Sequence, residues 1–367
     1  MVLLALLLAF QEAPIELPLP AGVDPAKGLR AIRVSDGKEV PARATKTSIV
    51  LLAAPAAADY RIESAAPAPS PAVDCVDDGK ALVVSVGGKT VLRYNHAVVD
   101  QPDPVFSRSG YLHPISTPSG KTVTNDSPAN HLHHHGIWSA WTSSEFEGRK
   151  SNFWESKEKQ GKVEFVKIDG TVSGPVYGGF TVRHRFVNLT APDGPKTALD
   201  EVWDVRVYAL TDRYVFDLTS TQTAASDHPL VIKEYRYGGI GFRGSPEWEG
   251  KTGVDFLTSE GKGRVDGHAT KAKWVLATGK LGGGEASVGF LCHPSNFRFP
   301  QPLRIHPDEP FFNWAVPQGG DFSIEPGKPY VAKYRFIVAD GRRSAAQMAI
   351  DWAAYGEAPG LTLSVAK

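Results

Sequence analysis

Four of the eleven histidines lie within residues 131–135, just before Gly136 and Trp138. If this stretch is an extended strand, His131, His133 and His135 share one face and His134 points to the other. Same-face neighbours would then be roughly 6.5–7 Å apart, so their imidazoles could converge on one ion or ligand. Imidazole acts as an acid or base near neutral pH and also binds transition metals. The spacing predicts a functional site, with a divalent metal on His131 and His133 as one interpretation.

Further candidates lie in loops shaped by glycine and proline, where binding residues commonly collect. Arg243 and Glu247 are predicted to form a charged pair at a cleft, with a surface salt bridge as the alternative. His306 and Glu309 are predicted to form an acid/base pair, because imidazole titrates near neutrality and a buried carboxylate can be tuned toward it. The candidates in these loops are Arg108, His113, Asn125, Arg243, Glu247, His306 and Glu309.

Aromatic side chains follow the histidines and are interspersed with carboxylates. An aromatic ring can stack on the C–H face of a pyranose while a carboxylate accepts hydrogen bonds from the sugar hydroxyls. We therefore expect Trp138 and Glu155 to contact a carbohydrate ligand. The alternative is that the aromatic side chains form the core of a β-sandwich. The residues concerned are Trp138, Trp141, Phe146, Phe153, Trp154 and Glu155.

Short strand-like runs separated by turn residues must position these loops. In residues 213–219, aromatic and aliphatic side chains alternate with polar ones, which indicates a strand with one buried face. Helical periodicity is convincing only at residues 344–354, and the 36 Gly and 28 Pro suit a turn-rich chain. The pattern predicts an all-β fold, namely a large antiparallel β-sandwich with one short C-terminal helix.

Composition divides the chain into segments. Residues 1–13 resemble a signal peptide, so we expect a secreted or periplasmic protein, with a buried first strand as the alternative. Residues 14–66 predict a small β domain, residues 67–72 a proline-rich linker, and residues 73–367 the large β-sandwich. No segment is long and apolar enough to be predicted to span a membrane.

Charge and cysteine content exclude several classes of function. Lys and Arg number 40 and so do Asp and Glu, so the net charge of zero disfavours binding to nucleic acid. Cys75 and Cys292 are the only cysteines, which allows one disulfide at most and excludes thiolate zinc sites of the CxxC type. No cofactor is firmly implied, and a divalent metal is one interpretation of the histidines.

Five segments also carry a family resemblance: residues 108–114, 130–141, 153–155, 239–244 and 293–296. They resemble a secreted bacterial family of unknown function that is labelled PmoA-like or methane oxygenase PmoA. The resemblance implies carbohydrate metabolism and a strand pattern similar to galactose-mutarotase-like supersandwich proteins. The chain differs from the family pattern at Asn130 and at His135, which favours His131, His133 and His134 as site residues. A methane monooxygenase is excluded, because its membrane subunit needs several spanning helices.

Taken together, these patterns predict a secreted carbohydrate-active protein that uses acid/base chemistry of the epimerase, lyase or hydrolase type. One of the candidate histidines would act as the acid or base, and Arg108 and Arg243 would orient an oxygen or a carboxylate. The alternatives are a non-catalytic glycan-binding module and a metal-dependent enzyme. The candidate histidines are His131, His133, His134 and His306.

Overall fold

The structure is a computed structural model that describes residues 11–66, 72–357 and 360–366. The apolar part of the predicted signal peptide and residues 67–71 of the predicted linker lie outside the described residues. The described residues contain no helix with the length and hydropathy that crossing a membrane requires.

Strands dominate the described part of the chain. The first eight are β1 (Ala13–Pro18), β2 (Leu29–Arg33), β3 (Glu39–Ala44), β4 (Ser48–Ala53), β5 (Ala58–Ser64), β6 (Val73–Asp77), β7 (Ala81–Val86) and β8 (Lys89–Asn95). The next eight are β9 (Tyr111–Ile115), β10 (Ile137–Ala140), β11 (Ser144–Phe146), β12 (Arg149–Ser151), β13 (Gly161–Val172), β14 (Tyr177–Asn188), β15 (Lys196–Tyr208) and β16 (Tyr214–Ala224). The remaining elements are β17 (Leu230–Ile232), β18 (Gly239–Arg243), β19 (Val254–Thr258), β20 (Trp274–Leu281), β21 (Gly284–Cys292), β22 (Leu303–Ile305), β23 (Phe311–Trp314), β24 (Phe322–Ile324), β25 (Tyr330–Asp340), helix α1 (Ala345–Gly356) and β26 (Leu361–Val365).

Two eight-stranded sheets form the body of the protein. The front sheet has the order β22-β23-β18-β10-β9-β8-β7-β6, and the back sheet has the order β13-β14-β15-β16-β25-β21-β20-β19. Their inward side chains make the main core, where Phe290 of the back sheet contacts Phe242 and Phe312 of the front sheet. A four-stranded sheet, β12-β11-β17-β24, contributes to a second core that includes Trp138. The predicted all-β sandwich is confirmed.

A six-stranded N-terminal sheet has the order β1-β4-β3-β2-β5-β26. Its last member, β26, pairs in parallel with β5. The predicted large sandwich, residues 73–367, includes this segment, whereas the segment belongs to the N-terminal sheet. The reason is hydrophobic: Leu361 and Leu363 pack against the core of that sheet, which a five-stranded unit would leave partly open.

Helix α1 confirms the predicted C-terminal helix. Ser344 caps its N-terminus in a capping box with Gln347, so two backbone N–H groups that lack helical partners are satisfied. Met348 and Trp352 pack on the outer face of the back sheet, and Ala354 packs on the N-terminal sheet. The helix thus joins the two parts of the molecule.

Both cysteines are buried and free, Cys75 on β6 and Cys292 on β21. Burial raises the pKa of each thiol to about 12. They are structural side chains that stay protonated at neutral pH.

Arg335 on the back sheet anchors strand β1. Its guanidinium makes two hydrogen bonds to Asp217, at 2.7 and 2.9 Å, and donates a third to the Pro14 carbonyl at 2.8 Å. Its side chain is 3% exposed, so these bonds offset the cost of removing the charge from water.

Replacing Arg335 by Leu should therefore destabilise the protein by about 3 kcal/mol, because Asp217 loses its ionic partner in a largely buried place. The matched control is Arg183→Leu, which breaks an exposed ion pair with Asp169 on the same sheet and should cost less than about 1 kcal/mol. Urea denaturation of both variants measures the difference. Equal losses would contradict the anchoring role of Arg335.

Candidate functional site

The histidine stretch forms consecutive turns. The His131 N–H donates to the Pro128 carbonyl at 2.8 Å, and the His134 N–H donates to the His131 carbonyl at 2.9 Å. A three-residue spacing of this kind brings side chains over one another, and the His131 and His134 rings stack with centroids 4.6 Å apart. The expectation that His131, His133 and His135 share the face of a strand is therefore wrong. Gly136 follows the turns, and only glycine fits there, because a Cβ would lie 2.1 Å from the Leu112 carbonyl oxygen.

Arg243, at the end of β18, is the centre of the site. Its side chain is fully buried and donates to Glu309 Oε2 at 2.7 Å and to His134 Nδ1 at 3.3 Å. It also donates to Asn130 Oδ1 at 3.1 Å and contacts the Glu249 carboxylate. Because a guanidinium only donates, His134 Nδ1 must accept, which places the proton of the neutral ring on Nε2. Two carboxylates thus compensate one buried cation.

Glu247, the predicted partner of Arg243, faces elsewhere. A short 3-10 turn at Pro246–Trp248 directs its carboxylate to the Gly282 N–H, at 2.9 Å. The same turn brings Glu249 back to Arg243. The predicted pairing is corrected accordingly: the chain reverses over three residues, so the second carboxylate after the proline is the one that reaches the arginine.

His131 and Glu309 form a close pair at the partly exposed side of the site. We call this side the opening, and the partly exposed residues around it are His131, His133, Glu155 and His306. His131 Nδ1 lies 3.0 Å from Glu309 Oε1, and the His131 side chain is 30% exposed. Nδ1 itself is buried and is not aligned for a hydrogen bond, so the exposed part of the ring is its remaining edge. Burial tends to raise the pKa of Glu309, but His131 and Arg243 outweigh it and hold that pKa at about 2. The carboxylate therefore stays ionised beside His131.

His133 and His306 flank His131, with ring centroids 5.6 and 6.0 Å from it. His133 Nδ1 lies 3.2 Å from the Glu155 carboxylate, and the pKa of His133 is lowered to about 3, first by burial and then by His131. The pKa of His306 is also lowered by burial, against the opposing effect of Glu309. The Asp308 N–H donates to His306 Nδ1 at 3.2 Å, so the neutral ring carries its proton on Nε2.

His134 and Trp138 lie beneath this opening. His134 stacks on Phe311 with a centroid distance of 4.8 Å, and burial lowers its pKa well below the usual value. Trp138 is completely buried against His134 and Trp154. Trp138 was predicted to contact substrate, but it supports the floor of the site because it belongs to the second core. Gly241 leaves the space that both tryptophan rings occupy.

Arg108 was predicted to act with Arg243, but its side chain lies in a different part of the interior. It donates to the Ser139 carbonyl at 3.0 Å, and its pKa is lowered to about 10 by burial, against the opposing charge of Glu201. Nearby, His135 Nδ1 lies 2.6 Å from Asp126, which also accepts a hydrogen bond from Tyr111. This interior group is structural, because the His135 side chain is buried and cannot reach a ligand. Burial also lowers the pKa of His135.

Two further predicted residues support the loop that carries the histidines. His113 Nδ1 lies 2.9 Å from the Thr124 hydroxyl, and burial lowers its pKa. The Asn125 N–H donates to the Arg243 carbonyl at 3.0 Å. Both residues fix the backbone near Arg243, while Glu155 is the predicted contact residue that lies at the opening.

A buried triad between the sheets escaped the sequence analysis. His184 Nδ1 lies 3.0 Å from Glu201 Oε2, and His184 Nε2 lies 2.6 Å from the Tyr94 hydroxyl. Glu201 also accepts hydrogen bonds from Ser220 and Gln222. The strand pattern contains a signal for it, because Glu201 occupies the inward register that Trp203 and Val205 share.

A metal site was one interpretation of the histidines. Among the described residues, the ligating atoms that lie close enough to share an ion belong to His131, His134 and Glu309 rather than to His131 and His133. Arg243 already donates to His134 Nδ1 and to Glu309. A second cation would therefore meet a fixed positive charge, and the donor set fits a guanidinium better than a metal.

Residues 81–353 match the model of a family of unknown function, DUF6807. The chain belongs to this family. The PmoA label suggested by the resemblance is not the one that this match carries, and it stays a prediction. A comparison with curated proteins finds no match.

Several solved structures are similar to the chain at low identity. A heparan sulfate lyase HepC mutant from Pedobacter heparinus is 9% identical, with 77% of this chain and 38% of the lyase covered and a TM-score of 0.38. A galactose mutarotase related enzyme from Lactobacillus acidophilus is 8% identical, with 74% and 100% covered and a TM-score of 0.32. A putative aldose 1-epimerase from Klebsiella pneumoniae subsp. pneumoniae MGH 78578 is 12% identical, with 96% and 99% covered and a TM-score of 0.30. The chain spans only 38% of the length of the lyase, and likenesses this distant carry no information on activity.

The Glu309→Gln variant should be less stable than the wild type by about 3 kcal/mol at pH 7, because buried Arg243 loses one of its two carboxylates. The pKa of Glu309 is lowered on folding, so its contribution is complete above the unfolded value of about 4.3 and is lost as the pH falls toward the folded value. The stability difference should therefore shrink between pH 5 and pH 2.

Urea denaturation of both proteins across this pH range measures the effect. Glu145→Gln is the matched control, because Glu145 is exposed and should give no such difference. A gap between wild type and Glu309→Gln that stays constant with pH would contradict the ion pair.

Proposed function

We propose that the protein is an enzyme that moves a proton on a carbohydrate, with His131 as the catalytic base. The observation that supports this role is the ionised Glu309 carboxylate 3.0 Å from His131 Nδ1. A carboxylate in this place favours a proton on Nδ1 and leaves Nε2 as the acceptor at the exposed edge of the ring. When Nε2 takes a proton, the imidazolium is stabilised by Glu309, which Arg243 holds in place.

His306 has the complementary role in this proposal. Its neutral ring carries the proton on Nε2, so it can donate a hydrogen bond to a substrate oxygen on which negative charge develops. In a lyase, the C–H bond breaks, a C=C bond forms as the C–O bond at the neighbouring carbon breaks, and His131 gives its proton to the leaving oxygen. These steps fit a lyase more directly than an epimerase, which needs a second proton donor on the opposite face of the sugar, or a hydrolase, which needs an activated water.

The carbohydrate class rests on the resemblance of the sequence and on the polar character of the opening. The imidazoles of His131, His133 and His306 and the carboxylate of Glu155 surround it, and these groups suit a ligand rich in hydroxyls. Export of the protein, suggested by the apolar residues before Gln11, belongs to the same proposal.

Neither alternative function gains comparable support. A glycan-binding module requires exposed aromatic faces, whereas Trp138, Trp141 and Trp154 are fully buried. A metal-dependent enzyme requires His134 and Glu309 as ligands, and both are engaged by Arg243.

The variant His131→Gln should lose activity by at least about 100-fold, because general acid/base groups typically contribute factors of this size or more. The assay is incorporation of solvent deuterium into a panel of reducing sugars and uronic acids, followed by NMR together with any change of configuration or new double bond. His228→Gln, which removes an exposed histidine, should retain full activity. Undiminished exchange in His131→Gln would contradict the proposed base.

A further inference from the structure

Arg304 lies on the same face of the front sheet as the proposed site. On β22 it pairs with Asn313, which in turn pairs with Gly241 on β18. Leu303 and Ile305 face the main core, so Arg304 and His306 face the opposite side. Residues two apart on one face of a strand are roughly 7 Å apart, which places Arg304 beside His306.

Arg236 approaches Arg304 from the loop that precedes β18. The Gln318 side-chain amide donates to the Arg236 carbonyl at 2.9 Å and to the Leu303 carbonyl at 3.3 Å. One amide group thus ties the Arg236 backbone to strand β22. The Arg236 guanidinium is exposed and lies 5.4 Å from the centre of the Tyr237 ring.

These two arginines lack the compensation that Arg243 has. Arg243 contacts two carboxylates, whereas neither Arg304 nor Arg236 forms a salt bridge within the described part of the chain. Arg304 makes one side-chain hydrogen bond there, to His268 Nε2 at 3.3 Å. The pKa of Arg304 is lowered, first by burial and then by the positive charge of Arg236.

His268 is held as a neutral positioning group beside Arg304. Its Nε2 accepts from the guanidinium, so its proton lies on Nδ1, which is buried and has no partner among the described residues. Its pKa is lowered by burial and by the two arginines. His268 therefore orients Arg304 without neutralising it, and the other N–H groups of that guanidinium remain for a ligand.

We propose that Arg304 and Arg236 bind an oxyanion substituent of the substrate, either a carboxylate or a sulfate ester. The assignment of that substrate as a sugar rests on the proposed function. The planar guanidinium matches two oxygens of such a group, and the repulsion between the two arginines is relieved when an anion binds between them. Bound there, the anionic group would place the adjoining sugar carbons beside His306 and His131.

Calorimetric titration tests the proposal with named probes. These are glucuronate and galacturonate for a carboxylate, glucose 6-sulfate and galactose 6-sulfate for a sulfate ester, and glucose and galactose as neutral counterparts. At least one acidic sugar should bind at least about tenfold more tightly than its neutral counterpart, as charge-assisted hydrogen bonds predict. Binding of uronates alone identifies a carboxylate site, binding of sulfated sugars alone a sulfate site, and binding of both a shared oxyanion site.

Arg304→Gln and Arg236→Gln should each weaken binding of the acidic sugar by about tenfold and leave any neutral-sugar affinity unchanged. Arg304→Lys keeps the charge and should fall between wild type and Arg304→Gln. Arg185→Gln is the control, because it removes one exposed positive charge from the back sheet and should not alter affinity. Thermal unfolding confirms that each variant is folded.

Two results would overturn the inference: no preference for any acidic sugar over its neutral counterpart, or equal acidic-sugar affinity in wild type and folded Arg304→Gln. Binding by His131→Gln separates this test from that of the proposed function. If His131→Gln binds acidic sugars normally, the oxyanion site stands whether or not His131 proves to be the base. If wild-type protein exchanges protons on neutral sugars only, the oxyanion site fails and the proposed base remains.

Discussion

The burial of the Arg243 charge is the constraint on which the rest of the site depends. Moving a guanidinium out of water costs several kcal/mol unless its donors are paired. Two carboxylates, an amide oxygen and an imidazole nitrogen pair with its two terminal nitrogens, and they come from three separate segments of the chain. The arginine therefore fixes the relative positions of the histidine turns, the segment after β18 and the segment before β23. Arg243 also holds the Glu309 carboxylate beside His131.

Burial also separates the histidines into two kinds. His134 and His135 lie within the protein, each tied to a charged neighbour, and their pKa values are lowered. His131 and His306 reach the opening, where each has one ring nitrogen directed to the protein. A histidine exchanges protons with a ligand through an accessible ring nitrogen, and the surroundings of the other nitrogen favour one tautomer. These histidines therefore comprise a buried pair, His134 and His135, and a partly exposed pair, His131 and His306, while His133 lies beside Glu155.

The front sheet provides the shared surface for these groups. Arg243, His306 and Arg304 all face away from the main core, on strands that are neighbours or next neighbours in the sheet. Arg243, whose charge is compensated by two carboxylates, thus lies on the same face as Arg304, which forms no salt bridge among the described residues. The compensated arginine is buried and rigid, as a structural element should be. The uncompensated pair is nearer to solvent, where a ligand can supply the missing negative charge.

The sequence by itself determined the all-β class, many of the strands and the C-terminal helix, and it predicted the segment that carries the candidate site. Periodicity of two and of 3.6 residues is local, so runs such as residues 213–219 and 344–354 indicate their own structure. The sequence alone did not determine that the histidines form turns, that Glu249 replaces Glu247 as the partner of Arg243, or that β26 joins the N-terminal sheet. These features depend on tertiary structure. The partner of a buried charge and the neighbour of an edge strand come from segments that are distant in the sequence. Such segments come together because folding removes charged and backbone polar groups from water, and those groups must then be paired within the protein.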